Sequence, residues 1–146
     1  MKKLFLFLML LPTMAVFASC DFHDKMVDSG DLPTKTTQFI ADMFPGCNVV
    51  AIDKDRDLGV VTYDVVLSCG VKLEFNSDGE WTEVDCDPES VPDAIVPEKI
   101  LNYVQSKYAE YFIVKIEKDW HRYKVELNVD IDLVFDKEGN FVRIDN

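Results

Sequence analysis

The chain has 146 residues, 48% apolar and 12% aromatic, with 27 acidic against 15 basic residues and a formal net charge of −12. That apolar content can fill a core and argues against disorder over the bulk of the chain, while the length suits one ordinary domain or two very small ones. A surface this acidic repels nucleic acid and anionic lipid, and no basic run in the remainder of the chain offsets it.

Residues 1–19 read as a signal peptide: Lys2 and Lys3, an apolar run from Leu4 to Leu11, Pro12, then small residues before Cys20. The run is too short to serve as a bilayer span. Two cleavages fit. Val16-Phe17-Ala18 suits cutting before Ser19, whereas Phe17-Ala18-Ser19-Cys20 resembles a lipoprotein box with Phe in place of the usual Leu. The lipoprotein reading is preferred, with Cys20 carrying acyl chains and residues 20–31 forming a tether. The expected location is the periplasm or outer membrane of a Gram-negative-type bacterium, in contact with membrane only through the lipid anchor. Loss of residues 1–19 removes Lys2 and Lys3 and no acid, which takes the formal charge from −12 to −14.

Beyond the signal the sequence repeats itself. Pro33, Phe39, Ile40, Phe44 and Ile52 match Pro97, Tyr103, Val104, Tyr108 and Ile116 at an offset of 64. Tyr63, Val65, Leu67, Leu73, Phe75 and Gly79 match Tyr123, Val125, Leu127, Leu133, Phe135 and Gly139 at an offset of 60. Each copy opens with a proline suited to a first helical turn, followed by apolar residues at helical spacing: Phe39, Ile40, Met43 and Phe44, then Ile100, Tyr103, Val104 and Tyr108. Period-two alternation follows, broken at Asp57-Leu58-Gly59, Ser68-Cys69-Gly70 and Asn76-Ser77-Asp78-Gly79, which predicts four strands per copy. The expected fold is α+β: two copies of a helix plus a four-stranded antiparallel meander, with both helices on one face of an extended sheet and the other face open. Repeat 1 spans 32–86, a proline-containing linker 87–95, and repeat 2 spans 96–146.

Leu32-Pro33, Phe39-Ile40, Phe44-Pro45-Gly46, Asp53-Lys54-Asp55, Phe75 to Gly79 with Glu80-Trp81, and Val96-Pro97 together resemble the PepSY-like family of exported bacterial proteins, also described as beta-lactamase-inhibitor-like. The hairpin motif recurs as Phe75 to Trp81 and Phe135 to Phe141, and the resemblance runs from Leu32 to Asn146. It implies two helix-plus-four-strand units sharing one curved sheet, like a protein inhibitor of beta-lactamase, and a role in inhibiting or regulating enzymes. Some relatives are described as calcium-regulated, and the family brings no catalytic residues. Cys69 stands where a turn Asp is usual, and Val129-Asp130 lacks the expected Gly.

No enzyme is expected. The histidines are His23, in the tether, and His121, in a hairpin turn with no cleft indicated, so a nucleophile–base pair lacks its base. No cofactor is implied apart from calcium: Asp53, Asp55 and Asp57 alternate as in a distorted calcium loop, but Leu58 holds the glycine position. Alternating acids are equally what an exposed strand shows. With a regular turn centred between Ser77 and Asp78, Trp81 falls opposite Glu74 and, likewise, Phe141 opposite Val134, both on the open face, while Val142 and Ile144 are buried. A glycine bulge at Gly79 or Gly139 reverses this. The expected partner-binding residues are Trp81, Phe141, Trp120, Val66, Val134 and Glu74, for a protein or peptide of unknown identity. The competing reading has the aromatics filling the seam between copies, in a calcium-responsive or structural envelope protein. The same regular hairpin sets Cys69 opposite Cys86, the preferred disulfide, with Cys47–Cys69 as the alternative.

Overall fold

The structure, a computed structural model, describes residues 29–145. The signal segment and Cys20 lie outside the described residues. A 3-10 turn at Ser29–Asp31 leads into α1 (Thr34–Met43), then β1 (Val49–Asp57), β2 (Val60–Leu67), β3 (Lys72–Asn76) and β4 (Trp81–Asp85). A second 3-10 turn at Asp93–Ile95 leads into α2 (Glu98–Lys107), then β5 (Ile113–Lys118), β6 (Arg122–Leu127), β7 (Ile131–Asp136) and β8 (Phe141–Asp145). The eight strands form one antiparallel sheet in sequence order.

Each helix begins directly after a proline, Pro33 or Pro97, whose fixed φ suits the entry to a helix. Glu98 in the first turn and Lys107 in the last match the dipole of α2. α1 buries Thr36 and Ile40, and α2 buries Ile100 and Val104. Phe39 meets Phe75 edge-on with ring centroids 5.6 Å apart, and Tyr103 meets Phe135 in the same way at 5.4 Å.

Both helices cover the same face. Ile52, Val65, Leu73, Val84, Ile116, Val125 and Leu133 stand side by side across seven strands, all buried, and Phe75 and Phe135 lie two residues along from that row. The row crosses from β4 to β5 without a break, because Val84 pairs with Ile116. The eighth member, Ile144 on edge strand β8, is 47% exposed. Among the described residues no helix is long and apolar enough to cross a membrane.

The β3–β4 hairpin differs from the regular one. The Gly79 amide donates to Asn76 O at 3.0 Å and the Asn76 amide to Glu80 O at 2.9 Å, with Gly79 at φ +78°, so a glycine bulge pairs Trp81 with Phe75 instead of Glu74. Thr82 is then an extra residue, after which Glu83 pairs with Glu74. The β7–β8 hairpin repeats this, with Gly139 at φ +81° and Phe141 paired with Phe135. Trp81 and Phe141 therefore sit on the helix side: the Phe141 ring stacks on Tyr103 at 4.8 Å, and Trp81 packs against the core. Val142 is the extra residue in β8 and is exposed, not buried.

The same shift removes the expected Cys69–Cys86 pair. β3 starts at Lys72 opposite Asp85, so Cys69 lies in the β2–β3 turn and bonds Cys47 in the α1–β1 connection. Cys86 is a free thiol in the core, its amide held by Val114 O at 2.8 Å.

Candidate binding surface

The uncovered face carries two charged rows. In pairing order the first reads Asp53, Asp64, Glu74, Glu83, Glu117, Lys124, Val134, Arg143, and the second Ala51, Val66, Lys72, Asp85, Lys115, Glu126, Asp132, Asp145. Five acids on adjacent strands thus stand directly beside one another. Like charges so opposed destabilise a sheet by a few tenths to about 1 kcal/mol per pair.

Relief is uneven. Lys115 bridges Glu83 at 3.1 Å and Glu117 at 3.0 Å, and Lys124 reaches Asp132 at 2.7 Å. Those carboxylates and the hydrogen bonds they make raise the Lys115 ammonium above the lysine range despite its burial. Asp53, Asp64 and Glu74 have no ion pair among the described residues; Glu74 only accepts from Thr82 Oγ1 at 2.6 Å. Partial burial, then Glu74 and Asp53, push the Asp64 carboxyl up from its ordinary value.

Two hairpins project at one end of this face. At the β1–β2 tip Leu58 takes φ +48° ahead of Gly59 at φ +86°, and is 96% exposed. Val60, one residue past that glycine, is 63% exposed. At the β5–β6 tip Trp120 is 90% exposed. Asp119 fixes that turn: its Oδ1 accepts the His121 amide at 2.8 Å and the Arg122 amide at 3.0 Å, and its Oδ2 accepts Arg122 Nε at 3.0 Å. These bonds, the His121 amide foremost, hold the Asp119 carboxyl below its usual value.

Between the tips lies a cavity of about 260 Å³ with Val60, Thr62, Trp81, Thr82, Lys118 and Trp120 in its walls. Lys118 Nζ lies 4.0 Å from the centre of the Trp81 ring, over its face, and burial lowers the lysine pKa. A smaller depression of about 160 Å³ continues along the face past Thr82 to Glu74, Glu83 and Glu117.

The structure thus divides the sequence-derived candidates. Trp120 stands free at a turn apex, and Trp81 reaches the cavity from the helix side at the seam with β5. Glu74 and Val66 lie on the uncovered face, half-buried; Val134 lies there too but is 2% exposed, beneath its neighbours. Phe141 belongs to the packing under α2. Sequence reasoning missed Val60, Leu58 and the Asp119 clamp; an aspartate opening a four-residue turn was the available signal.

Asp53, Asp55 and Asp57 follow one another along extended β1 and do not wrap into a loop, and among the described residues no group of three or more ligating side chains is placed to hold a metal ion. Cys86 is not a poised nucleophile, because burial, with Asp85 adding to it, pushes its thiol up to about 11. His121 is exposed in its turn, with its backbone amide engaged by Asp119.

The chain is similar to solved structures over most of its length. A "putative periplasmic protein from DUF2874 family" of Bacteroides vulgatus ATCC 8482 is 37% identical with a TM-score of 0.80, covering 86% of this chain and 99% of that one. A second Bacteroides vulgatus ATCC 8482 protein, described as periplasmic and of unknown function, is 35% identical at TM-score 0.80, covering 82% and 95%. A "putative calcium-regulated periplasmic protein" of Bacteroides thetaiotaomicron is 36% identical at TM-score 0.78, covering 82% and 94%. Among curated proteins none matches. The profile of the family described as "Putative beta-lactamase-inhibitor-like, PepSY-like" matches residues 61–143, more than half the chain, and with relatives above one-third identity at near-full coverage the chain belongs to the PepSY-like family.

Proposed function

We propose that the protein is an exported, lipid-anchored, non-enzymatic binding module that holds a protein partner on its uncovered sheet face and regulates or inhibits an envelope or secreted enzyme. The observation that carries this reading is the cavity between the two hairpin tips, where Trp120 and Val60 are exposed at positions the fold leaves unpacked. The inhibitor-like description of the family and the periplasmic descriptions of its relatives support it.

The platform is two copies of one unit fused edge to edge. Supporting this are the same order of elements in each half, prolines 33 and 97 ahead of the helices, and extra residues at matching places, Val50 with Val114 and Thr82 with Val142.

The test is to cross-link the protein to its neighbours in native envelope, purify the partner so identified, and measure its affinity for intact protein and for Trp120→Ala. Truncation is expected to cost about 2 kcal/mol or more of binding, with melting unchanged because Trp120 is solvent-exposed. Equal affinities would remove the surface from consideration.

The second reading, a calcium-responsive envelope protein, rests on the description of the Bacteroides thetaiotaomicron relative. A calcium-dependent rise in melting temperature, abolished by Asp55→Ala, would establish it in place of the first.

A further inference from the structure

Resting on that reading, we infer that the docked segment presents a bulky apolar side chain with lysine or arginine within two positions of it. The apolar group fills the cavity between Val60 and Trp120, and the cations lie over Asp53, Asp64 and Glu74.

Three features converge on this chemistry. First, the cavity walls hold Val60, Trp81 and Trp120, and its volume of about 260 Å³ exceeds that of any single apolar side chain. Second, the acidic row begins where the cavity ends. Thr62 lines the cavity and Asp64 follows two residues along the same strand, about 7 Å away at the rise of a β-strand. That is the reach of a side chain two positions along an extended segment. Third, the charges are complementary and not ion-paired, although Lys118, Arg122 and Lys124 line the same depression as Glu74. Lys115 serves the acids at the β4–β5 end, whereas Asp53, Asp64 and Glu74 have no cation partner among the described residues. One step further down the face Lys72 and Lys115 appear and end the strip on that side, while on β1 it continues to Asp55 opposite Thr62.

The strip is unfavourable for the free protein. The pairs Asp53–Asp64 and Asp64–Glu74 are like-charge juxtapositions without an ion pair among the described residues, and a cationic segment docked across them relieves the repulsion. Leu58 adds the same kind of evidence: a fully exposed leucine held at positive φ, where Asn or Gly fits better.

The experiment is selection of a random peptide display library on the full mature chain, followed by affinity measurements with the selected peptides. They are measured against the intact protein, Trp120→Ala and the pair Asp64→Asn with Glu74→Gln, at low and high salt, with calcium and with chelator. Enriched peptides should carry Lys or Arg within two positions of Leu, Phe or Trp. Trp120→Ala should weaken them about 30-fold, and the amide pair roughly tenfold, with intact binding falling as salt rises. Melting curves confirm that both variants fold. Neutral or acidic peptides that lose affinity on Trp120→Ala, or basic ones indifferent to the amide pair, would overturn the charge inference and leave the binding face standing. Selection yielding no peptides, or only peptides indifferent to every variant, would overturn both. Binding that requires calcium and loses that requirement in the amide pair would assign the carboxylates to a metal ion and also overturn the inference.

Discussion

Asp64 and Leu58 are placed against their own preferences, and each makes a prediction. A carboxyl whose folded-state pKa is raised contributes stability while it is protonated and loses that contribution as pH climbs through the raised value. Asp64→Asn should therefore raise the melting temperature at pH 7. The gain should fade on acidification below the ordinary aspartate value of 3.8, where the native side chain is itself neutral. Melting both proteins across that range checks the sign; a gain independent of pH would mean that repulsion is not its source. Leu58 sits at φ +48°, a left-handed conformation that costs a branched side chain about 1–2 kcal/mol. Leu58→Asn should recover about 1 kcal/mol in chemical denaturation and, if the hairpin tip contacts the partner, weaken binding at the same time.

The glycine bulges are what the elements turn on. A Cβ at Gly79 would come within 2.8 Å of Pro33 Cβ and 3.1 Å of Thr36 Oγ1, because the β3–β4 turn is docked beneath the start of α1. Thr36 Oγ1 donates to Gly79 O at 3.5 Å and Lys35 pairs with Glu80 at 2.6 Å, holding turn to helix. With the positive φ added, Gly79→Ala should lower stability by about 2–3 kcal/mol, read as a shift in denaturation midpoint. Strands and helices were legible in the sequence because each buries a single face, which stamps period two or helical spacing on the chain. The bulges were not. Inserted residues leave composition untouched. The glycine bulge turns Trp81 and Phe141 to the other face, and the further extra residue, Thr82 or Val142, restores the alternation after it, so the strand slides by two residues and Cys86 is carried away from Cys69. The acid row was hidden for a different reason, since it exists only in the register of five strands, one pairing of which spans the α2 segment.

For the whole molecule the seam between β4 and β5 is decisive. It rests on three residue pairs, with fully buried Val84 facing Ile116 at its centre. Ile116→Ala should cost about 3 kcal/mol, and because the core row is continuous the loss should appear in one transition followed alike by circular dichroism and tryptophan fluorescence. Two separate transitions would mean that the halves are energetically independent and that the seam contributes little.

Strand order equal to chain order also shapes how the protein reaches this state. Every pairing but β4–β5 is closed by one tight turn, so most of the sheet forms by successive hairpin closures of low contact order, the regime in which folding is fast. Only the β4–β5 pairing waits on a long loop, Cys86 to Phe112, and within it α2 forms locally. A chain delivered amino end first can thus complete β1–β4 under α1 before the rest arrives, leaving β4 as a temporary edge on which the second half assembles.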